Sequence, residues 1–333
     1  MDIATHALTS YVIARGLFAR RRWPVVVGML FAGTLADVDL LSALFGPSAY
    51  FAARRTYTHS LLGTVAVILL AILFTRALAR RNPVPVAMLF WPMLLAAAAH
   101  VLLDSLQCEG VMLLWPFRST RFAANWLPSV DLWIVVLLLG GILVPELFRL
   151  VTSEIGAKNK APRGRNGAVA VLVLLTFYIA GRALLHASSN ALLEARSYQG
   201  ESARLVGSYP DSFSVLTWHG VVETTSLLCQ ADVPVGPGKA FDPESADCLH
   251  KPEASPELDA VQKTSLARKY VSAVPFPRAV VEKTQDGYEV VIRSMRDIVE
   301  GETYHRVAAR FQLNPDFSVS GEQLVWTSEV HLR

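Results

Sequence analysis

A run of long apolar stretches in the first 190 residues constrains this chain more than anything else in it. Four of them, roughly Ser60–Thr75, Val84–Leu103, Leu132–Phe148 and Ala168–Leu185, approach the ~20 residues an α-helix needs to cross a bilayer. Two earlier stretches are weaker. Ile3–Ala19 carries Thr5, His6, Thr9 and Ser10 among apolar residues, and Pro24–Phe45 is apolar until Asp37-Val38-Asp39 interrupts it. Both read as helices packed within a bundle, because a carboxylate pair facing lipid would be very costly. The expected fold is an α-helical membrane bundle of about six helices over residues 1–190.

Composition agrees with lipid as the solvent there. Hydrophobic residues make up 52% of the chain and charged residues 18%, against about 25% charged in an ordinary soluble domain. The net charge of +3 is too small to argue for a nucleic-acid partner. Met1-Asp2-Ile3-Ala4-Thr5-His6 has no basic leader before an apolar run, so no cleavable signal peptide is expected and His6 stays available for chemistry. With the N-terminus outside, the inner loops hold Arg20, Arg21, Arg22, Arg76, Arg80, Arg81, Arg149, Lys158, Lys160, Arg163 and Arg165, and the outer loops only Arg54, Arg55, Arg118 and Arg121. This asymmetry favours that orientation and places residues 191–333 outside the cytoplasm.

From about Ser197 the pattern changes to alternating, β-branched runs. Val221–Thr225, Ala279–Lys283, Tyr288–Arg293, Tyr304–Leu313 and Ser318–Trp326 read as strands, with a hairpin at Asp286-Gly287. Leu258–Val274 reads as an amphipathic helix and the stretch Pro234–Pro256 as a loop. The expectation is a small, mainly antiparallel α+β domain. Cys229 and Cys248 pair if this part is extracytoplasmic; two free thiols are the other reading.

Three histidines, His6, His59 and His100, each sit in a polar interruption of an apolar segment. His100 and Asp104 are four apart, so on a helix they share one face, and Asp37 and Asp39 add hard oxygen donors. Each alone has an ordinary explanation: a packing histidine, a polar contact between helices, a cap, or an ion-pair partner for Arg54 or Arg55. Under the topology above, however, all six fall at one depth near the outer membrane boundary, as a divalent metal site would need. Mixed His and Asp ligation favours zinc, with manganese as the alternative. The following loop, with Trp115-Pro116-Phe117 and Asp131, reads either as an aromatic belt or as a lid, with Arg118 and Arg121 placed to engage a phosphate. His186, His219, His250, His305 and His331 read as structural or surface residues.

Asp2-x-x-x-His6, Ala36-Asp37-Val38-Asp39, Tyr57-Thr58-His59-Ser60, and His100-x-x-x-Asp104 followed by Leu114-Trp115-Pro116-Phe117 resemble the motifs of the YdjM-like family of bacterial membrane-bound, predicted metal-dependent hydrolases. That family looks distantly similar to the zinc-dependent phospholipases C. The resemblance implies that His6, Asp39, His59, His100 and Asp104 are direct ligands, Asp104 bridging, with Asp37 as the alternative to Asp39. The phospholipases also use an N-terminal Trp and a later pair of histidines, neither of which this chain matches, so one or two ions are expected. The implied activity is hydrolysis of a phosphoester in a lipid or lipid-linked substrate at the outer face of the inner membrane, with Asp39 or Asp37 acting on the attacking water. A non-catalytic membrane protein with a structural metal, and an ion or metal transporter, are the alternatives; the almost wholly apolar inner halves of the helices put the transporter last.

Overall fold

The computed structural model describes residues 1–18, 22–154, 164–238, 240–299 and 306–329. Arg20, Arg21, Lys158, Lys160, Arg163, Tyr304, His305 and His331 lie outside them. The chain divides into two compact units: Met1–Asp39 with Arg55–Leu184, and Leu40–Arg54 with Leu185–Arg333.

The first unit is helical. Asp2 caps α1 (Ile3–Leu17) by accepting the Thr5 N–H at 2.9 Å. Pro24 fits the first turn of α2 (Trp23–Thr34), where no N–H is needed. At Leu35 the winding tightens to a 3₁₀ helix, Leu35–Phe45. After the short α3 (Pro47–Ala53), Ser60 caps α4 (Leu61–Leu78), and α5 (Val86–Ser105), α6 (Leu132–Glu154) and α7 (Arg165–Glu194) follow. Among the described residues, four helical stretches are long and apolar enough to cross a membrane: Trp23–Phe45, Leu61–Leu78, Val86–Ser105 and Arg165–Glu194. The segment expected to be weak, Pro24–Phe45, is thus among them, while the apolar stretch Leu132–Phe148 is shorter than these.

Small and medium residues let α1, α2, α4 and α5 approach closely around Ile13, Met29, Ala32, Ala71, Met93 and Ala96. A second cluster joins α1 and α5 to α6 and α7 through Val12, Leu103, Ile134, Leu138 and Leu175. The opposite face of α4 leaves Leu62, Val65, Leu69 and Leu73 more than half exposed, as a lipid-facing surface requires.

Among the described residues, the second unit holds three antiparallel sheets. A two-residue pair, β1 (Ser197–Tyr198) and β2 (Glu201–Ser202), precedes β3 (Leu205–Pro210), β4 (Thr217–Glu223), β5 (Leu227–Pro234) and β6 (Asp247–His250), hydrogen-bonded in the order β3-β4-β5-β6. After α8 (Pro256–Gln262) and α9 (Ser265–Ala273), the strands β7 (Pro277–Thr284), β8 (Gly287–Ser294), β9 (Val307–Leu313) and β10 (Val319–Trp326) form the order β10-β9-β8-β7. The Asp286-Gly287 hairpin is present, with Thr284 opposite Gly287. The single helix expected over Leu258–Val274 is two, because Thr264 ends one and caps the next through the Ala267 N–H. The stretch expected as loop contains β6, which pairs Cys248 directly opposite Cys229, and the two are disulfide-bonded. Leu40–Arg54 belongs to this unit, where Phe51 stacks on Tyr270 and Tyr50 packs edge-on against Trp326.

Candidate metal centre

Four chain segments bring polar side chains to one buried point of the helical unit. His6 lies one turn into α1 and is 1% exposed. Asp37 and Asp39 sit on the 3₁₀ segment. Two residues on an α-helix point about 160° apart, whereas at three residues per turn the angle falls to about 120°. The tightened winding therefore buries both carboxylates while Val38 between them stays exposed. His59 precedes the Ser60 cap of α4, whose hydroxyl accepts the Gly63 N–H at 3.0 Å. The Tyr57–Thr58 backbone passes so close to Gly63 that a Cβ there would lie 2.0 Å from the Tyr57 carbonyl oxygen. His100 and Asp104 come from one face of α5, both buried.

Ligand atoms of Asp37, His59, His100 and Asp104 all lie within 4.8 Å of one another. His100 Nδ1 lies 2.8 Å from the Gly33 carbonyl oxygen. A carbonyl can only accept, so that nitrogen carries the proton and Nε2 presents its lone pair. His59 Nδ1 likewise faces the Asp39 Oδ2 carboxylate oxygen at 3.1 Å, which turns its Nε2 inward as an acceptor. The two Nε2 atoms are 3.0 Å apart, and His59 Nε2 is 3.0 Å from Asp104 Oδ2. Three lone-pair atoms thus face one another, two pairs at hydrogen-bond distance and the third, His100 Nε2 to Asp104 Oδ2, at 3.8 Å. An extra proton on one imidazole would satisfy one of these contacts; a divalent cation satisfies all of them together with Asp37. The donor set fits such an ion.

On the other side of the Asp104 carboxylate, His6 Nε2 is 3.1 Å from Oδ1 and 4.0 Å from Asp37 Oδ2, and its ring stacks on His100 at 3.7 Å. The Met1 amino group contacts the same oxygen and lies 2.8 Å from Gln107 Oε1. Asp104 therefore has one oxygen toward His59 and His100 and the other toward His6. Asp39 stands behind His59, where it also accepts the Arg55 N–H at 2.7 Å.

The loop residues fall elsewhere. Asp131 caps α6, accepting the Trp133 and Ile134 N–H groups and the Tyr178 hydroxyl. Trp115 packs edge-on against Tyr57 at 4.8 Å. Arg118 is exposed and Arg121 half-buried. The guanidinium that does reach the centre is that of Arg55, 3.3 Å from Asp104 Oδ2 and donating to Gln107 Oε1 at 2.7 Å. Arg55 enters the sequence reading only as an outer-loop cation and an ion-pair partner for Asp37 or Asp39, and Gln107 not at all. Gln107 lies past the end of α5, where helical spacing no longer predicts a direction.

A family model described as YdjM inner membrane protein matches residues 1–188. No curated protein and no solved structure matches, so the likeness to phospholipases C rests on motif order alone. The match covers the helical region and every residue of the buried cluster.

Proposed function

The chain belongs to the YdjM inner membrane protein family, and from that membership together with its buried cluster we propose that it is a metal-dependent hydrolase acting on a phosphoester of a lipid or lipid-linked substrate. The observation that carries the reading is the convergence of Asp37, His59, His100 and Asp104 on one point, with lone pairs facing inward. Zinc, or manganese in its place, supplies a lowered water pKa and a polarised scissile group when bound. The chain's own residues then divide the remaining work. His59, His100, Asp104 and Asp37 hold the ion, with His6 on the second oxygen of Asp104. Asp39 fixes the His59 ring through Nδ1, the outer partner that a ligating histidine requires. Asp37, with Asp39 as the alternative, orients the attacking water and takes its proton.

Multi-pass insertion with residues 191–333 on the periplasmic side belongs to the same proposal. The Cys229–Cys248 bond supports it, since disulfides persist in oxidising compartments. An outward-facing site would meet amphiphilic substrates at the headgroup level. The test is the protein purified in detergent, assayed for bound zinc and manganese and for hydrolysis of lipid phosphoesters. Metal bound near one equivalent and activity lost in His100→Ala are expected. Hydrolysis that survives metal removal and His100→Ala would end the proposal. Complete burial of the four ligands favours a second reading, a metal that only clamps the helices. In that case Asp39→Asn would lower melting temperature and metal content together, with no turnover to lose.

A further inference from the structure

Arg55 reaches the cluster by an unusual route. Its φ is +53°, a left-handed conformation uncommon for residues other than glycine. The backbone is held there from both sides: the N–H donates to Asp39 Oδ2 and the carbonyl oxygen accepts the Met112 N–H at 3.0 Å. The result is one of the largest fully buried side chains of the protein, a cation at 2% exposure.

Its donors are only partly used. Nη2 donates to Gln107 Oε1, while Nε lies 3.3 Å from Asp104 Oδ2 and 3.5 Å from Glu109 Oε2. Nε and Nη1 are both buried and neither makes a hydrogen bond among the described residues, although Nε has the Asp104 and Glu109 carboxylates at ion-pair distance. A guanidinium serving only as counter-ion to Asp104 would need no more than its Nε edge. Leaving a cationic N–H without an acceptor inside the protein costs free energy that a purely structural role does not return. The planar fork of arginine matches a phosphate, and a buried, preset donor costs no rearrangement when that phosphate arrives. Glu109, with a side chain 30% exposed, marks the solvent side of the guanidinium.

We propose that Arg55 is the oxyanion-binding residue of this site, its Nη1 donating to a negatively charged phosphate oxygen of the substrate. This rests on the phosphoester reading above and narrows it: the group recognised is an anionic phosphate, and Glu109 opposes its entry by like charge. Arg118 and Arg121 are not required for it.

The experiment is calorimetric titration of the detergent-purified, zinc-loaded full chain with inorganic phosphate and, separately, with a short-chain phosphatidic acid below its micellar concentration. Metal content and melting temperature are recorded for every variant. Arg55→Gln should keep its zinc and bind phosphate about thirtyfold more weakly, the range lost with a charge-assisted hydrogen bond. Arg55→Lys, which keeps the charge without the fork, should lose about fivefold. Glu109→Gln should bind about threefold more tightly, as expected for removal of a partly exposed like charge. Phosphatidic acid binding at least tenfold tighter than inorganic phosphate assigns the ligand to a lipid headgroup; equal affinities assign it to free phosphate. Wild-type protein that binds zinc but no phosphate overturns the assignment, as does either folded Arg55 variant binding like wild type. Should Arg55→Gln not fold, Arg55→Lys and Glu109→Gln decide. Phosphate binding that depends on Arg55 in a wild-type protein without bound metal would uphold this assignment and sink the hydrolase reading instead.

Discussion

The two units place their polar residues by opposite rules. In the helical unit the exposed positions of α4 are mostly apolar, Leu62, Val65, Leu69 and Leu73 among them, while His6, Asp37, His59, His100 and Asp104 are buried. In the second unit Val221, Val222, Trp218, Phe311 and Tyr270 are buried and the charged residues mostly line the surface. Where lipid is the solvent, a polar side chain gains nothing by facing out, so its position inside reports what it does. Where water is the solvent, a histidine or aspartate is at home on the surface and reports little. The same residue types thus carry chemical information in residues 1–188 and almost none after them.

That contrast can be broken most severely at Asp104. Asp104→Asn removes the carboxylate that faces His6, His59 and the Arg55 guanidinium, leaving a buried cation without its partner. Destabilisation of about 3–5 kcal/mol is expected in a denaturant titration in detergent, with loss of bound metal. A conservative substitution of a surface carboxylate in the second unit would not approach this. A smaller effect, confined to the other unit, is expected from the double change Cys229→Ser, Cys248→Ser. The bond closes a loop of sequence separation 19, so about 3 kcal/mol of stability should be lost while metal content stays as in wild type. A fall in metal content would show that the two sets of residues are not independent.

The smallest effect concerns Glu201. Hydrogen bonds from the Ser226 and Thr224 side chains, with the Ser226 N–H, pull its carboxyl from 4.5 to about 2. A depressed folded-state value stabilises fully above the unfolded value and is lost as pH falls from there toward the folded one. Unfolding of the second unit should therefore become easier between pH 4.5 and 2. Glu201→Gln should flatten that slope, which melts recorded across this range would read.

Much of the site was legible because its geometry is local. His100 and Asp104 are four positions apart, and an α-helix converts that spacing into a shared face without help from the rest of the fold. The apolar surroundings of His6 and His59 gave the same kind of signal. Gln107 and the reach of Arg55 to Asp104 were hidden because both side chains arrive from non-helical backbone, where spacing predicts no direction. Asp37 and Asp39 were ambiguous for a related reason: their relative orientation depends on whether the winding is α or 3₁₀, and Leu35-Ala36-Asp37-Val38-Asp39 carries no breaker that announces the change. In the second unit the β7–β8 hairpin was visible through Asp286-Gly287. β6 was not, since four residues beside a Pro/Gly-rich stretch become a strand only by pairing with β5. The assignment of Leu40–Arg54 to the second unit depends on Tyr50 and Phe51 finding Trp326 and Tyr270, contacts far apart in sequence.

His100 takes its bearing from the main chain of α2, not from a neighbouring side chain. No point mutation can delete a peptide oxygen, so this alignment tolerates drift at most surrounding positions. Its one vulnerable spot is Gly33 itself, where a Cβ would sit 1.8 Å from the Ser10 hydroxyl oxygen. An added methyl there would force the Ser10 hydroxyl to turn aside and press at 3.0 Å on the Ser10 Cβ, so Gly33→Ala should weaken metal binding without changing any of the liganding groups.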